Sequence, residues 1–386
     1  MARVLVLGGG FGGLAAATEL RANLSGDDEV VLVSASDHFY MGFAKLWDLA
    51  GLRPLDGGTR PLAALAQHGV RFLHAEVTAI DAPSRTVSTT AGELTGDAVL
   101  VALGTVPSPR HLELLAAGAG HNLYDAAALP AMHAALDEVA SGRVVVAVLG
   151  APFACPPAPY EAALLVDERL RRRGVRGDVA VDVVTPQPMT LPAAGPEASR
   201  VVAGHLADRG IGLLDRRVTV GVDPGRRRLR FEAGDELEYA VLLGVPAEAV
   251  PPVVEASALV GPSGFVEPDP ATLGTTHHGI YAVGDCTMVP TATAQLPKAG
   301  VFAAAEGRVA ARNIARDLYG SGGAAFDGHG MCFIELPDRR VAMVEGNFFA
   351  QPEPDVRLSE ATEAYFERKR AYERDRLAEW LDPPLS

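Results

Sequence analysis

The sequence contains little cysteine. Its three cysteines, Cys155, Cys286 and Cys332, are too few and too scattered to form a disulfide scaffold. No CxxC motif and no cluster of cysteine and histidine accompanies them, so the sequence predicts no metal site. In a reducing compartment a cysteine pair without a metal is more often redox-active than structural. The cysteines are therefore candidates for redox chemistry.

Long apolar runs and an excess of positive charge are also missing. No segment is long and apolar enough to span a bilayer, although 48% of the residues are hydrophobic and can build a core. The formal net charge of -14 argues against a nucleic-acid partner and against simple electrostatic docking on an anionic membrane. Because an apolar strand follows Met1 at once, we expect no secretory signal. We therefore expect a cytoplasmic chain, at most peripheral on the inner face of the cell membrane.

Lysine is scarce as well. It occurs only at Lys45, Lys298 and Lys369, and the other cationic side chains are arginines. Glycine and proline are abundant in the same chain. These frequencies indicate a compositional bias rather than a function.

The N-terminal sequence contains a dinucleotide-binding fingerprint. Gly8, Gly10 and Gly13 match the pattern GxGxxG between an apolar strand at 3–7 and a helical pattern at 14–24. This context favours a dinucleotide whose pyrophosphate lies at the start of the helix. After the next strand Ser34 stands where an acidic residue usually binds the ribose, and a serine hydroxyl can also bond a hydroxyl. Asp37 either assists it or caps a turn, and we favour the cap.

A second strand, turn and helix begins at residue 144, but its turn has lost the fingerprint. In the segment 150–161 alanine, phenylalanine and proline replace the glycines that would let a pyrophosphate approach, and Cys155 lies among them. We expect the start of the helix at 162–173 to favour the Cys155 thiolate through its free N–H groups and dipole. The alternative is that Cys155 is a buried, inert side chain.

A third group of motifs completes a flavin site. A strand ends in Gly284-Asp285, where the carboxylate can bond ribityl or phosphate-bridging groups. Pro297 and Lys298 head a long helix, whose free N–H groups and lysine could stabilise the charge on a reduced flavin, unless Lys298 is simply solvated. An earlier strand at 98–103 ends at Gly104. The residues that we expect to bind the cofactor are Gly8, Gly10, Phe11, Gly12, Gly13, Ser34, Ala35, Gly104, Gly284, Asp285, Pro297 and Lys298.

These patterns predict an α/β protein with two Rossmann-like dinucleotide-binding domains, of which the FAD-binding one is discontinuous, and a small C-terminal region. The expected boundaries are 1–110 for the first part of the FAD-binding domain, 111–262 for the second domain, 263–320 for the return to the FAD-binding domain and 321–386 for the C-terminal region with Cys332. The charged helix expected at 360–381 either touches a membrane surface or, as we favour, packs on the body or on another subunit.

The motifs together resemble the sulfide:quinone oxidoreductases and the flavoprotein subunit of flavocytochrome c sulfide dehydrogenases. The resemblance covers nearly the whole chain. Its specific parts are the two segments centred on cysteine, 155–161 and 330–335, while the remaining motifs suit any two-dinucleotide-domain flavoprotein. The remaining motifs are 8–13, 34–37, 284–285 and 297–300.

The resemblance implies a redox pair of Cys155 and Cys332 over an FAD. Sulfide or polysulfide would attack the disulfide or sulfur bridge between them, leaving Cys155 as a persulfide and Cys332 as the thiolate that adds to the flavin ring and passes on two electrons. Glu161 would accept a proton. The chain lacks the third cysteine that many such enzymes carry near the flavin side of the middle domain. It also has no cysteine before Cys155 that could tether FAD, so we expect noncovalent FAD. We expect Cys286 to pack beside the cofactor.

Several functions share these motifs. The favoured one is sulfide oxidation with a quinone as the electron acceptor, and a c-type cytochrome is the alternative acceptor. A type II NADH dehydrogenase has the same fold but requires a working second glycine-rich loop, which 150–160 lacks. A flavin-holding thiol sensor without turnover is the third reading.

Overall fold

The structure is a computed structural model that describes residues 1–320 and 322–382 of the chain. Buried apolar strands alternate with helices through most of it. The α-helices of the described residues are α1 (Phe11–Asn23), α2 (Ala44–Leu49), α3 (Pro109–Leu115), α4 (Leu129–Glu138), α5 (Ala158–Arg172), α6 (Gly195–Asp208), α7 (Pro252–Glu255), α8 (Gly300–Tyr319) and α9 (Glu363–Trp380). In these residues no helix is both long and apolar enough to cross a membrane.

The first parallel sheet joins strands from distant parts of the chain. Its central strand Arg3–Leu7 pairs with Glu29–Ser34 on one side and with Ala98–Val101 on the other. The outer strands are Arg71–His74 and Ile280–Ala282. The side chains of Val4 to Leu7 are fully buried, as expected for a strand covered on both faces. Residues near 280 therefore return to the sheet that the N-terminus begins.

The second parallel sheet has the same construction. Its strand order is His121–Asn122, Val241–Val245, Gly142–Val148, Val179–Val184 and Gly212–Leu214. The central strand Gly142–Val148 ends directly before the cysteine-containing turn, and α5 follows that turn. Two parallel sheets with helices confirm the predicted α/β class with Rossmann-like units.

The remaining strands form small antiparallel sheets. In the described residues these are Val77–Asp81, Thr86–Thr89 and Gly92–Thr95; Thr219–Asp223, Arg228–Phe231 and Glu236–Glu238; His329–Leu336, Arg340–Asn347 and Asp355–Leu358; Val106–Pro107 with Glu248–Ala249; and His38–Phe39 with Arg60–Pro61.

Helices α1 and α8 pack closely through small residues. A Cβ at Gly307 would lie 2.3 Å from the carbonyl oxygen of Gly12, and one at Gly300 would lie 2.7 Å from the Phe11 ring. Only glycine allows this approach. The contact brings the N-termini of the two helices together at the edge of the first sheet.

The C-terminal helix α9 packs on the body of the protein. The Trp380 side chain is fully buried and lies edge-on to the rings of Phe11 and Phe39, at 6.0 and 5.8 Å between centroids. Arg53 forms a two-armed ion pair with Glu373 at 2.5 and 2.7 Å. The preference for packing over membrane contact is therefore confirmed for the apolar face of this helix.

Candidate active site

The first glycine-rich turn has the shape of a phosphate-binding loop. A Cβ at Gly8 would lie 2.2 Å from the carbonyl oxygen of Ala102, and one at Gly13 would lie 1.9 Å from that of Gly8, so packing requires both glycines. Gly10, in contrast, is exposed with no atom within 4 Å of its Cβ position. The first turn of α1 has no side-chain cap and no acidic residue. Its free N–H groups and the open side at Gly10 fit a pyrophosphate.

The residues expected at the ribose lie next to this loop. Ser34 is 8% exposed at the end of its strand, and its Oγ is 3.1 Å from the Cβ position of Gly9. Asp37 is exposed, and its carboxylate lies 2.7 Å from Nδ1 of His38. Ser34 is thus the polar side chain at the loop itself.

Lys298 is buried in the cofactor region, so the alternative of a solvated lysine is wrong. It is 6% exposed and donates to the carbonyl oxygens of Asp285 at 2.7 Å and Thr287 at 3.0 Å. Burial lowers the pKa of Lys298, although the Asp285 carboxylate opposes the shift. Pro297 precedes the helix, because α8 starts at Gly300 with Ala299 as its N-cap. The expectation that this proline shapes the first turn is therefore wrong.

Glu306 is a buried acid that the sequence did not reveal. Its side chain is 2% exposed and accepts the Gly284 N–H at 2.7 Å. Burial raises the pKa of Glu306 to about 7. Burial also raises the pKa of Asp285, which lies in the same small depression beside Lys298.

The second turn is longer than the first and is closed to a pyrophosphate. Residues 8–10 separate the first strand from α1, whereas residues 149–157 separate the strand Gly142–Val148 from α5. A Cβ at Gly150 would lie 2.4 Å from the His111 ring, so this chain's own side chain fills the space beside the turn. The backbone N–H groups at the start of α5 already have acceptors. The Ala158 N–H donates to the Cys155 carbonyl oxygen, and the N–H groups of Tyr160 and Glu161 donate to the Pro157 carbonyl oxygen.

Cys155 lies in this turn in a left-handed backbone conformation, with φ of 50°. Its N–H donates to the Lys298 carbonyl at 2.7 Å, and the Tyr124 hydroxyl donates to the Ala154 carbonyl at 2.7 Å. The residue is half-buried, whereas Cys286 is fully buried. Burial raises the pKa of the Cys155 thiol well above its ordinary value, and Cys332 and Glu161 raise it further. The expectation of a favoured thiolate is therefore wrong, since the helix start offers no free N–H groups here.

Cys332 comes from the C-terminal antiparallel sheet. It lies on the strand His329–Leu336 and pairs with Val344 of the next strand. The side chain is half-buried, and burial together with the Glu161 carboxylate raises the pKa of its thiol to about 12. Both cysteines are free in this structure. Cys286, by contrast, is fully buried and packs against the Val283 and Val101 carbonyls.

Cys155, Cys332 and Glu161 line one cavity of about 160 Å³, which we call the inner cavity. The N-terminal residues of α1 and α8, Phe11 and Gly300, line it too. A second cavity of about 410 Å³, the proline-lined cavity, is also lined by Cys332. The proline-lined cavity is bordered by Ala151, Pro152, Phe153, Pro156, Pro157, Gln187, Leu191, Pro192, Ala193, Ala194, Ala294, Gln295, Pro297, Lys298, Phe302, Met331, Cys332, Val344 and Phe348.

A buried ion cluster borders the inner cavity. The Lys369 ammonium, from α9, lies 2.9 Å from Oε1 of Glu161 and 2.8 Å from Oε2 of Glu335, and all three side chains are nearly inaccessible. The Glu335 N–H also donates to Oε1 of Glu161 at 2.7 Å, and the Trp47 indole N–H donates to Oε2 of Glu335 at 2.6 Å. Burial alone would lower the pKa of Lys369, but the two carboxylates raise it, so the ammonium keeps its charge.

Sequence reasoning missed Lys45 and Lys369, although both line the inner cavity. The third lysine, Lys298, borders the proline-lined cavity. Every lysine of the chain therefore lies at the candidate site. The scarcity of lysine was the signal that could have found them, because the few lysines of a chain that otherwise uses arginine all border these two cavities.

Comparison with known proteins identifies the family of this chain. The profile of the pyridine nucleotide-disulphide oxidoreductase family matches residues 2–307. The chain belongs to this family. It is an FAD-dependent oxidoreductase, and the expected cofactor is confirmed.

The relatives of this oxidoreductase include proteins named for sulfide and for NADH. A mitochondrial sulfide:quinone oxidoreductase of Mus musculus is 22% identical over 364 residues, which are 90% of this chain and 79% of that protein. A type II NADH:quinone oxidoreductase of Staphylococcus aureus is 26% identical over 348 residues, 84% of this chain and 85% of that protein. The solved sulfide:quinone oxidoreductase of Aquifex aeolicus has a TM-score of 0.86 at 22% identity and covers 97% of this chain and 90% of that one. The resemblance stated from the sequence is thus confirmed.

Proposed function

We propose that this oxidoreductase oxidises sulfide through a redox pair of Cys155 and Cys332 and passes the electrons to a quinone. The proposal rests on the convergence of both thiols and Glu161 on the inner cavity, beside the N-termini of α1 and α8. The relatives named for sulfide and quinone support it. A quinone acceptor implies peripheral contact with a membrane, and a c-type cytochrome remains the alternative acceptor.

The sulfur chemistry begins at the disulfide form of the pair. Hydrosulfide attacks the Cys155 sulfur, a new sulfur–sulfur bond forms there, and Cys332 leaves as a thiolate. A second hydrosulfide or a growing polysulfide takes the outer sulfur and leaves Cys155 as a thiolate. When the disulfide forms again, the two thiolates release two electrons. FAD, when bound, accepts these electrons and delivers them to the quinone.

The other residues of the site hold the cofactor and move the proton. Gly8 to Gly13 and the start of α1 would hold the pyrophosphate of a noncovalent FAD, and Ser34 and Ala35 the ribose. Gly104, Gly284 and Asp285 would hold the ribityl chain, with Pro297 and Lys298 beside the ring. Oε1 of Glu161 already accepts from Lys369 and Glu335, which leaves Oε2 for the proton that sulfide gives up.

The decisive experiment is anaerobic mixing of the FAD-loaded protein with sulfide, followed by flavin absorbance. Sulfide should bleach the flavin of the natural protein rapidly, and Cys155→Ser or Cys332→Ser should abolish this reaction. Cys286→Ser is the matched control, because Cys286 borders neither cavity, and it should leave the rate unchanged. An unaltered flavin spectrum in sulfide, or a Cys155→Ser variant that is still bleached at the natural rate, contradicts the proposal.

NADH dehydrogenation is the second candidate, because of the relative from Staphylococcus aureus. The closed second turn opposes it, since His111 fills the space beside Gly150 and proline and alanine replace the glycines. We expect NADH not to bleach the flavin. Rapid reduction by NADH at micromolar concentration would favour this candidate over sulfide oxidation.

A further inference from the structure

One charged side chain of the inner cavity has no part in the proposed function. Lys45, on α2, is half-buried and lines the cavity together with Cys155. Its ammonium donates to the Tyr124 carbonyl oxygen at 2.5 Å and lies 5.9 Å from the Tyr40 ring and 5.7 Å from the Tyr124 ring. Within residues 1–320 and 322–382, no carboxylate oxygen lies within 4.0 Å of this ammonium. Lys45 therefore carries a charge that no ion pair compensates.

The surrounding charges make Lys45 different from the other two lysines. Lys369 lies between two carboxylates, so the group that it forms with Glu161 and Glu335 has a net negative charge, although the ammonium itself opposes the rise in the pKa of both thiols. Lys298 is held by two carbonyl oxygens and lies beside Asp285. For Lys45, burial lowers the pKa, and the nearby group that opposes this most strongly is the Cys155 sulfur. Lys45 and Cys155 therefore face each other's charge in the cavity that both side chains line.

Sulfide chemistry needs a positive charge at this place. At neutral pH sulfide is largely an anion, and both the persulfide and the thiolate that it generates are anionic. Burial and the Glu161 carboxylate disfavour an anion on Cys155 or Cys332. A nearby uncompensated cation reduces this penalty.

We propose that Lys45 binds the anionic sulfur of the reaction, first as entering hydrosulfide and then as the persulfide anion on Cys155. This inference rests on the proposed function. Lys45 neither gains nor loses electrons, and its proton stays on the ammonium. The two tyrosine rings and the Tyr124 carbonyl keep the ammonium in the cavity without neutralising its charge.

The test compares Lys45→Met with Lys45→Arg in the FAD-loaded protein, using sulfide and an uncharged phosphine as reductants. A charge-assisted contact contributes enough binding that loss of the charge should lower the rate constant for flavin reduction by sulfide roughly tenfold or more. The phosphine brings no anion into the cavity, although its reaction also expels a cysteine thiolate. Its rate should therefore fall clearly less than the sulfide rate. Lys45→Arg keeps the charge and should retain most of the sulfide rate. Equal losses with the two reductants, or no rescue by arginine, would overturn the inference.

A second measurement separates this inference from the proposed function. Alkylation of reduced Cys155 by neutral iodoacetamide, followed against pH, reports the thiol pKa without any sulfide. Lys45→Met should move the alkylation midpoint to higher pH, and Lys45→Arg should not. If sulfide fails to reduce the flavin of the natural protein but Lys45→Met still moves the alkylation midpoint, the proposal of sulfide oxidation is wrong and the anion site at Lys45 stands. If Lys45→Met leaves the midpoint unchanged, Lys45 has no such role.

Discussion

The backbone N–H of Cys155 donates to the carbonyl oxygen of Lys298 at 2.7 Å. This bond joins the turn of the second Rossmann-like unit to the segment that leads into α8, and therefore to the cofactor region. It fixes the thiol-bearing turn while the side chain faces the inner cavity. The turn that lacks the glycine fingerprint thus holds Cys155 at the wall of the inner cavity.

The buried charge of Lys369 should be essential for stability. Lys369→Met leaves Glu161 and Glu335 buried without their cation, which should lower the free energy of unfolding by about 3–5 kcal/mol. Urea unfolding of the purified protein measures this. Arg370→Met, on the same helix but exposed, is the control and should change stability little. Equal stability of the two variants would show that the cluster is not a stabilising element.

The reduced thiols should react slowly in the folded protein. Because burial raises the pKa of Cys332 to about 12 and that of Cys155 in the same direction, few molecules carry a thiolate near neutral pH. We expect alkylation at pH 7 to be much slower than in urea and to rise steadily with pH. Mass spectrometry of each cysteine-containing peptide measures it. A plateau at a pH below that of an ordinary thiol would show that a cation or helix start overrides burial.

Glu306 should make stability depend on pH. Its pKa is about 7 in the folded protein against an ordinary value of 4.5, so the folded state binds an extra proton between these values. Its contribution to stability is therefore complete below about pH 4.5 and is lost as the pH rises through 7. Glu306→Gln should remove this loss, which is on the order of a few kcal/mol. Thermal unfolding at pH 5 and pH 8 measures the difference, and exposed Glu93→Gln is the control. An identical pH profile for the Glu306 variant and the natural protein would contradict the shift.

Trp380, on α9, should stabilise the first glycine-rich turn, where we expect FAD to bind. Trp380→Ala removes a fully buried ring that contacts Phe11, so it should cost about 3–5 kcal/mol and weaken FAD binding. Trp380→Phe keeps an aromatic ring at this position, so it should retain most of the stability and most of the affinity for FAD. Flavin fluorescence titration gives the FAD affinity. Unchanged affinity in a folded Trp380→Ala protein would show that the loop needs no such support.

The sequence predicted the parts of the fold that depend on local pattern. The glycines at 8, 10 and 13 and the strands around them were correct because the fingerprint and the alternation of strand and helix are local signals. The segment 112–140 shows where local pattern is weaker, because two helices lie there instead of one: α3 ends at Leu115 and α4 begins at Leu129. Glycines at 118 and 120 lie in the interruption.

Long-range contacts were the part that local pattern could not supply. The sequence placed Cys155 at the start of a helix, but the N–H groups of that start are used by the Cys155 and Pro157 carbonyls. The sequence around Lys369 does not show that two carboxylates surround its ammonium. Glu161 comes from α5, and Glu335 comes from the strand His329–Leu336 of the C-terminal antiparallel sheet. The electrostatics of the site therefore follow from tertiary packing, whereas the candidate thiols followed from the motifs.

The origin of Lys369 on α9 ties the charge balance of the thiol site to the docking of one helix. The Lys369 ammonium reaches Glu161 and Glu335 only where α9 packs on the body of the protein. Any change that displaces α9 therefore leaves two carboxylates without their cation at the wall of the inner cavity. Damage to this distant helix should accordingly alter the reactivity of the thiols as well as the stability of the fold.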